Sequence, residues 1–324
     1  MHEREDDDEE AWLQLRPVEP LPSQCCGSGC SPCVFDLYHR DLARWEAARA
    51  SKDRHLLSEE EESLSCFSEL KPETFLAFRI STVDKLTKDT YRVRFALPGN
   101  SRLGLRPGQH LILRGTVDDL EIQRAYTPIS PASAEGYFEV LIKVSRLTPI
   151  LSDTCYQTGL MSRYVESWKA GETAFWRGPF GDFIYKPNQH GELLMLAAGT
   201  GLAPMVSVLQ SITDNEEDET FVTLVSCFKT FEDIYLKTLL QEQACFWNIR
   251  TFFVLSQEKS PEQLPWSYRE KTRFGRLGQG LIGELVDSCR RRPFALVCGS
   301  AEFTKDMARY LLCAGLTEDS YFLF

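Results

Sequence analysis

The chain reads Arg124-Ala-Tyr-Thr-Pro-Ile-Ser130 at the end of an apolar stretch, so an arginine, a tyrosine and two hydroxyl side chains stand close together. Alternate residues of a β-strand project onto one face, which would present several of these groups side by side. A guanidinium binds phosphate oxygens in pairs, an aromatic ring lies against a planar ligand, and hydroxyls complete the hydrogen bonding. The segment therefore predicts a surface for a flat, anionic ligand. The alternative is an ordinary strand end that enters a turn at Pro128.

Short β-rich runs separated by turns surround this segment. In Thr90–Leu97, large apolar side chains at the odd positions alternate with charged or small ones at the even positions, which is the period of a β-strand. Pro98-Gly-Asn100 then turns the chain, and further strands are expected at 75–80, 111–113 and 137–144. Because no helical stretch interrupts these strands, the region predicts an antiparallel β-barrel.

The pattern changes from residue 193 onward to alternating strands and helices. A buried strand at 193–198 leads into the glycine turn Gly199-Thr-Gly-Leu-Ala-Pro204 and a helix at 205–212. Further strands are expected at 220–226, 249–255, 294–298 and 321–324, with helices at 234–243, 281–288 and 304–313. Alternation of this kind predicts a doubly wound parallel sheet, which binds ligands at the carboxyl ends of its strands.

Composition bounds the function. A chain of 324 residues is long enough for two domains, at about 150 residues each. Its formal net charge of −11 argues against general nucleic-acid binding, which needs clustered lysine and arginine. The sequence contains no run of about 18 apolar residues, so no transmembrane segment is expected. The acidic start Met1–Asp8 does not resemble a secretory or mitochondrial leader, so we expect a cytoplasmic protein.

The motif R-x-Y-[ST]-x-x-S identifies a resemblance to ferredoxin-reductase-type flavoproteins, and the Tyr-Thr-Pro at its centre resembles NADH-cytochrome b5 reductases more closely. The resemblance runs from about residue 73 to residue 324. It implies a β + α/β fold, with an antiparallel FAD-binding barrel at 73–187 and a doubly wound NAD-binding domain at 188–324. The cofactors expected from it are FAD and NADH.

The resemblance also implies site residues. Arg124 would hold the FAD phosphates, and Tyr126 would pack against the flavin or ribityl region. The hydroxyls of Thr127 and Ser130 would form hydrogen bonds with the flavin. The glycine-led loop Gly159–Ser162 opens a helix whose free amides would seat the pyrophosphate; the alternative is a plain helix start. The residues expected to bind FAD are Arg124, Tyr126, Thr127, Ser130, Lys143, Gly159, Leu160, Met161 and Ser162.

The nicotinamide cofactor is expected at the second domain. The Gly-x-Gly-x-x-Pro turn lets the backbone approach the dinucleotide, and Pro204 suits the first turn of a helix. Asp233 aligns with an acidic residue that favours NADH over NADPH, although Lys229 stands nearby. Cys298 aligns with a thiol near the nicotinamide; the alternative is core packing. The residues expected to bind NADH are Gly199, Thr200, Gly201, Pro204, Asp233, Cys298 and Gly299, with catalytic roles for Cys298 and Lys143.

The activity implied is electron transfer from NADH through flavin to a one-electron acceptor, with cytochrome b5 or a similar haem protein expected first. The alternatives are another haem or iron-sulfur acceptor, and a cofactor-weakened adaptor. Basic residues near the flavin loops would meet an acidic acceptor: Lys143, Arg146, Arg163 and Lys169. The chain departs from the family pattern at Ser145, Ala203 and Ser300–Glu302, and the first two departures put affinity or rate in doubt more than reaction type.

The first 72 residues are expected to divide into an acidic, disordered tail at 1–22, a Cys-rich segment at 23–50 and a charged linker at 51–72. The Cys-rich segment resembles the oxidoreductase-like N-terminal module. Four cysteines within it are weak candidates for a metal site, the alternative being a small helix with reactive thiols: Cys25, Cys26, Cys30 and Cys33. The other seven are expected as reduced core thiols: Cys66, Cys155, Cys227, Cys245, Cys289, Cys298 and Cys313.

Overall fold

The computed structural model describes residues 12–22, 33–52, 70–118, 120–144 and 159–324. Two six-stranded sheets form the framework of this part of the chain. The first sheet consists of β1 (Leu76–Lys85), β2 (Thr90–Ala96), β3 (His110–Val117), β4 (Leu120–Tyr126), β5 (Tyr137–Lys143) and β6 (Thr173–Phe180). Two helices accompany it, α1 (Val34–Ser51) before β1 and α2 (Leu160–Glu166) before β6.

The first sheet is the predicted antiparallel barrel, in the form of a curled sheet. Its strand order is β4-β3-β6-β1-β2-β5, which leaves β4 and β5 at the two edges. The segment after β4 joins these edges, because Pro128 forms an isolated bridge with Val140 and the Ile129 amide donates to the Glu139 carbonyl at 2.8 Å. Alternation in β2 buries Val93 and Phe95 completely, as its sequence period predicts.

The second sheet is parallel throughout, as predicted, with the order β10-β9-β8-β7-β11-β12. Its strands are β7 (Glu192–Ala198), β8 (Phe221–Phe228), β9 (Ile249–Leu255), β10 (Thr272–Phe274), β11 (Phe294–Cys298) and β12 (Tyr321–Leu323). Its helices are α3 (Leu202–Thr213), α4 (Lys237–Gln243), α5 (Trp266–Arg269), α6 (Gln279–Asp287) and α7 (Ala301–Cys313).

The continuous apolar run of β7 reflects two-sided burial. Leu193 and Met195 belong to the core that includes α3, whereas Leu194 and Leu196 belong to the core that includes α6 and α7. Because helices cover both faces, a buried parallel strand does not alternate apolar and polar residues. This arrangement is the doubly wound architecture expected from the sequence.

Three local expectations are corrected. The three-residue strand β10 was not expected, because so short a run carries no periodic signal. The predicted helix at 234–243 begins only at Lys237, since Phe231–Asp233 forms a 3₁₀ turn and Leu236 has a left-handed φ of 57°. Two predicted core thiols, Cys245 and Cys313, are exposed instead, because they lie at or just beyond helix ends.

The N-terminal segment is described in part. The Trp45 indole donates to the Trp12 carbonyl at 2.9 Å and is buried. Cys33, just before α1, packs against Ile112 and Phe180 of the barrel. The other three metal candidates, together with Cys66, Cys155 and residues 53–69 of the predicted linker, lie outside the described residues. Within the described ranges, no helix has the length and apolar content to cross a membrane.

Candidate functional site

A cavity of about 1080 Å³ lies between the barrel and the carboxyl ends of the parallel strands. It brings together residues that are up to 235 positions apart (324 − 89), from Asp89 to Phe324. Most of the predicted site residues line it, namely Tyr126, Thr127, Lys143, Gly199, Thr200, Gly201, Pro204, Asp233, Cys298 and Gly299. The two halves of the predicted site thus share one cavity.

Six predicted residues lie outside this lining. Arg124 is half-buried on β4, and its Nη1 donates to the Gln123 carbonyl at 2.7 Å. The Ser130 hydroxyl accepts from the Glu139 amide at 3.2 Å, so in this structure it helps to join the barrel edges. Gly159–Ser162 opens α2 as the pattern predicts, and α2 packs against β3. Their roles in phosphate binding stay predictions.

Tyr126, the last residue of β4, and Thr127, which follows it, line the cavity. The Tyr126 ring meets Trp176 edge to face, with centroids 5.8 Å apart and planes at 73°. Trp176 is itself completely buried in the barrel core, so the tyrosine ring has a fixed support. Burial raises the pKa of Tyr126, and its phenol is therefore a neutral hydrogen-bonding group at physiological pH.

The glycine turn after β7 leaves backbone rather than side chains at the opposite wall. Gly199 has a φ of 55°, and a Cβ atom there would meet only the Tyr235 hydroxyl, 4.0 Å away. A Cβ atom on Gly201 would lie 2.2 Å from the Cys298 carbonyl oxygen. The turn therefore packs directly on the end of β11, which holds Gly201 and Cys298 in one surface. A dinucleotide can approach such a surface closely.

Charged side chains from both domains meet at one side of the cavity. Lys88 Nζ lies 3.2 Å from Asp233 Oδ1, and the Thr230 hydroxyl donates to Asp233 Oδ2 at 2.9 Å. Burial opposes ionisation of Asp233, but the Thr230 and Lys88 contacts outweigh it and lower its pKa. Beside them, Lys143 Nζ lies 3.5 Å from Asp89 Oδ2. Each of the two carboxylates, Asp233 and Asp89, is thus paired with a lysine ammonium group.

Two of the cavity residues that the sequence interpretation missed carry buried polar atoms without a partner in the described part of the chain. His110 Nε2 and the Tyr235 hydroxyl are buried and have no hydrogen-bond partner among the described residues. Burial lowers the pKa of His110 to about 4 despite the opposing charge of Asp182, so the imidazole is neutral. The Pro107-Gly-Gln-His110 turn carried a signal for His110, since it ends at a strand start; nothing marked Tyr235.

The residues present fit a polar, planar dinucleotide. Unmet hydrogen-bonding groups, an aromatic ring and an open glycine backbone face the same space. Burial also raises the pKa of the Cys298 thiol to about 12, so it is protonated and can pack or donate rather than attack. The departures at Ala203, Ser300 and Glu302 line the cavity too, whereas Ser145 lies outside the described residues.

Three protein-family models match the chain. The model for the oxidoreductase FAD-binding domain matches residues 77–185, and that for the oxidoreductase NAD-binding domain matches residues 195–309. The model for the oxidoreductase-like protein N-terminal region matches residues 11–54. These matches confirm the predicted order of the FAD and NAD folds and the resemblance of the Cys-rich segment.

Curated relatives extend over the whole chain. It is 81% identical to a Homo sapiens protein named NADH-cytochrome b5 reductase-like, over 100% of both chains. It is also 33% identical to NADH-cytochrome b5 reductase 1 of Dictyostelium discoideum, over 79% of this chain and 83% of the relative.

Solved structures share the fold. The cytochrome b5 reductase domain of Ulva prolifera nitrate reductase superposes with a TM-score of 0.68 at 23% identity, covering 80% of this chain and 100% of that one. A ferredoxin NADP+ reductase from Neisseria gonorrhoeae with bound FAD and NADP gives 0.61 at 18% identity, covering 77% and 98%. At these identities the likeness concerns architecture alone.

Proposed function

Because the chain belongs to the NADH-cytochrome b5 reductase family of FAD- and NAD-dependent oxidoreductases, we propose that it reduces a one-electron haem acceptor of the cytochrome b5 class. One observation carries the proposal: the end of β4 and the glycine turn after β7 face each other across a single cavity. A donor on one side and an acceptor ring on the other would then be held at short range, which is what hydride transfer requires.

FAD would be held by the barrel, at 73–187. Tyr126 supplies a rigid ring, Thr127 a hydroxyl, and His110 a neutral imidazole with a free nitrogen among its described surroundings. Lys143 adds a positive charge at the same wall. Bound FAD would supply the conversion of a two-electron donor into single electrons. The protein groups need only bind, orient and exclude water.

NADH would be held by the domain at 188–324. The turn Gly199–Gly201 offers its backbone to the pyrophosphate, and α3 begins directly after it. Asp233 offers a carboxylate to ribose hydroxyls. Cys298 and Gly299, at the end of β11, would form the surface on which the nicotinamide rests, with the neutral thiol in van der Waals contact.

An acidic acceptor needs a basic surface on this acidic chain. Arg163 on α2 is well exposed, and its partner Asp118, 3.3 Å away, is more exposed still. Lys143 is partly exposed beside the cavity, and Lys169 lies on the exposed turn before β6. Surface pairs of this kind exchange partners at little cost, so these cations can serve a docking protein. Arg146 lies outside the described residues.

One experiment tests both parts of the proposal. The purified full chain, loaded with FAD, is titrated with NADH while its flavin absorbance is followed, and reduction of ferricyanide and of cytochrome b5 is then measured. We expect flavin bleaching by NADH, turnover with both acceptors, and a KM for cytochrome b5 that rises with salt. Arg163→Gln should raise that KM at low salt without changing ferricyanide turnover.

The possible failures are separable. A colourless protein that gains no flavin absorbance when FAD is added would refute the flavoenzyme and favour an adaptor. Flavin reduction with ferricyanide turnover but no cytochrome b5 turnover would retain the reductase and refute the acceptor. A KM that does not respond to salt would refute the basic docking surface.

A further inference from the structure

A lysine from the barrel reaches into the predicted NADH site of the other domain. Lys88 lies in the turn between β1 and β2, and its ammonium lies 3.2 Å from Asp233 of the parallel-sheet domain. The side chain of Lys88 is 69% exposed, whereas that of Asp233 is only 13% exposed. A long, exposed cation from one domain thus neutralises an enclosed carboxylate of the other.

The position of Asp233 makes this contact relevant to the cofactor. It follows β8, which neighbours β7 and its glycine turn in the sheet, and it lines the cavity. In dinucleotide-binding sheets, an acidic residue placed in this way accepts hydrogen bonds from ribose hydroxyls and repels a 2′-phosphate. Here both carboxylate oxygens are already engaged, one by Lys88 and the other by the Thr230 hydroxyl.

The charge balance around Asp233 differs from that of a lone carboxylate. Lys88 stands in direct contact, Lys229 lines the same cavity, and Lys143 is held nearby by Asp89. Glu258 lies close enough to Asp233 for the two carboxylates to repel each other, so the three lysines are balanced by three carboxylates, Asp233, Asp89 and Glu258. A 2′-phosphate brought to this corner would meet an ammonium rather than an uncompensated negative charge.

We propose that Lys88 is a specificity-determining residue for the nicotinamide donor, which weakens the preference of this chain for NADH by accommodating the 2′-phosphate of NADPH. The proposal rests on the proposed function, because it assumes that the ribose of the donor lies at Asp233. The exposed lysine side chain swings from the carboxylate to the phosphate when NADPH binds, and stays with Asp233 when NADH binds.

The test compares Lys88→Met, which keeps the apolar stem and removes the charge, with Lys88→Arg and the control Lys85→Met. Lys85 is an exposed lysine at the end of β1, three residues earlier. Two readouts are used: kcat/KM for NADPH and NADH with ferricyanide, and calorimetric affinity for 2′,5′-ADP and 5′-AMP. The two nucleotides differ only in the 2′-phosphate, and their binding needs no turnover.

Lys88→Met should lower kcat/KM for NADPH by about fivefold relative to kcat/KM for NADH. The affinity for 2′,5′-ADP should fall by the same factor relative to that for 5′-AMP, because about fivefold is the effect of one half-exposed charge pair. Lys88→Arg should restore the ratio, and Lys85→Met should leave it unchanged. Equal shifts for both nucleotides would show that Lys88 only joins the domains, and would overturn the proposal, as would no shift at all. If the wild type shows no turnover, the proposed function fails, whereas nucleotide binding still decides the role of Lys88.

Discussion

Replacing Gly201 with alanine tests directly how the cavity is built. Gly201 has a φ of −59°, which any residue adopts, so the substitution brings no backbone strain of its own. The added Cβ would lie 2.2 Å from the Cys298 carbonyl oxygen and 2.9 Å from the Gly299 amide nitrogen. Both are backbone atoms that no side-chain rotation can move away. The glycine turn and the end of β11 must therefore separate.

The separation needed is about 1 Å, the difference between 2.2 Å and the closest contact that real Cβ atoms make, near 3.0 Å. Overpacking of this kind costs about 1–3 kcal/mol. At about 2–4 °C per kcal/mol for a chain of this size, Tm should fall by about 2–12 °C. A displacement of about 1 Å in a substrate-positioning element costs up to about 100-fold in rate. We expect kcat/KM for NADH to fall by about 10- to 100-fold.

Flavin content, thermal melting and NADH kinetics measure these effects separately. FAD content per chain should not change, because the contact lies wholly within the NAD-binding domain. The matched control is Gly283→Ala on α6, where a Cβ atom meets nothing within 4 Å. That variant should keep wild-type kinetics and gain slightly in Tm, since alanine favours a helix by about 0.5–1 kcal/mol over glycine. Wild-type Tm and kcat/KM in Gly201→Ala would refute the packing described for the turn.

Two further predictions concern titratable groups. Burial lowers the pKa of His110 from 6.5 to about 4, so the unfolded chain takes up this proton first as the pH falls. The free energy of unfolding is therefore fully retained above pH 6.5 and decreases as the pH falls towards 4. The expected decrease between pH 7 and pH 5 is about 2 kcal/mol. Urea unfolding should show this loss in the wild type and a flatter profile in His110→Phe; parallel profiles would contradict it. At about pH 8, iodoacetamide should label the exposed Cys245 and Cys313 well before Cys298, because burial holds the pKa of Cys298 near 12 and the thiolate is the reacting form. Peptide mass mapping measures the order, and early labelling of Cys298 would contradict the burial.

Much of the fold and part of the site could be predicted from local pattern. The two-residue period of β2, the apolar run of β7 and the Gly-x-Gly turn are all properties of consecutive residues. Strand periodicity, two-sided burial and the backbone freedom of glycine act over a few residues at a time. They can therefore be recognised from a short stretch of sequence alone. The flavin-type motif at Arg124–Ser130 can be recognised for the same reason.

The sequence by itself therefore determined the element types, their order and the kind of ligand, because periodicity and glycine spacing are local. The tertiary structure decided which groups share the cavity. It placed Ser130 between the barrel edges, His110 and Tyr235 on the cavity wall, and Lys88 against Asp233. The last contact joins residues 145 positions apart (233 − 88) in different domains. That pairing depends on chain packing, and no residue next to Lys88 or Asp233 in the sequence carries a signal for it.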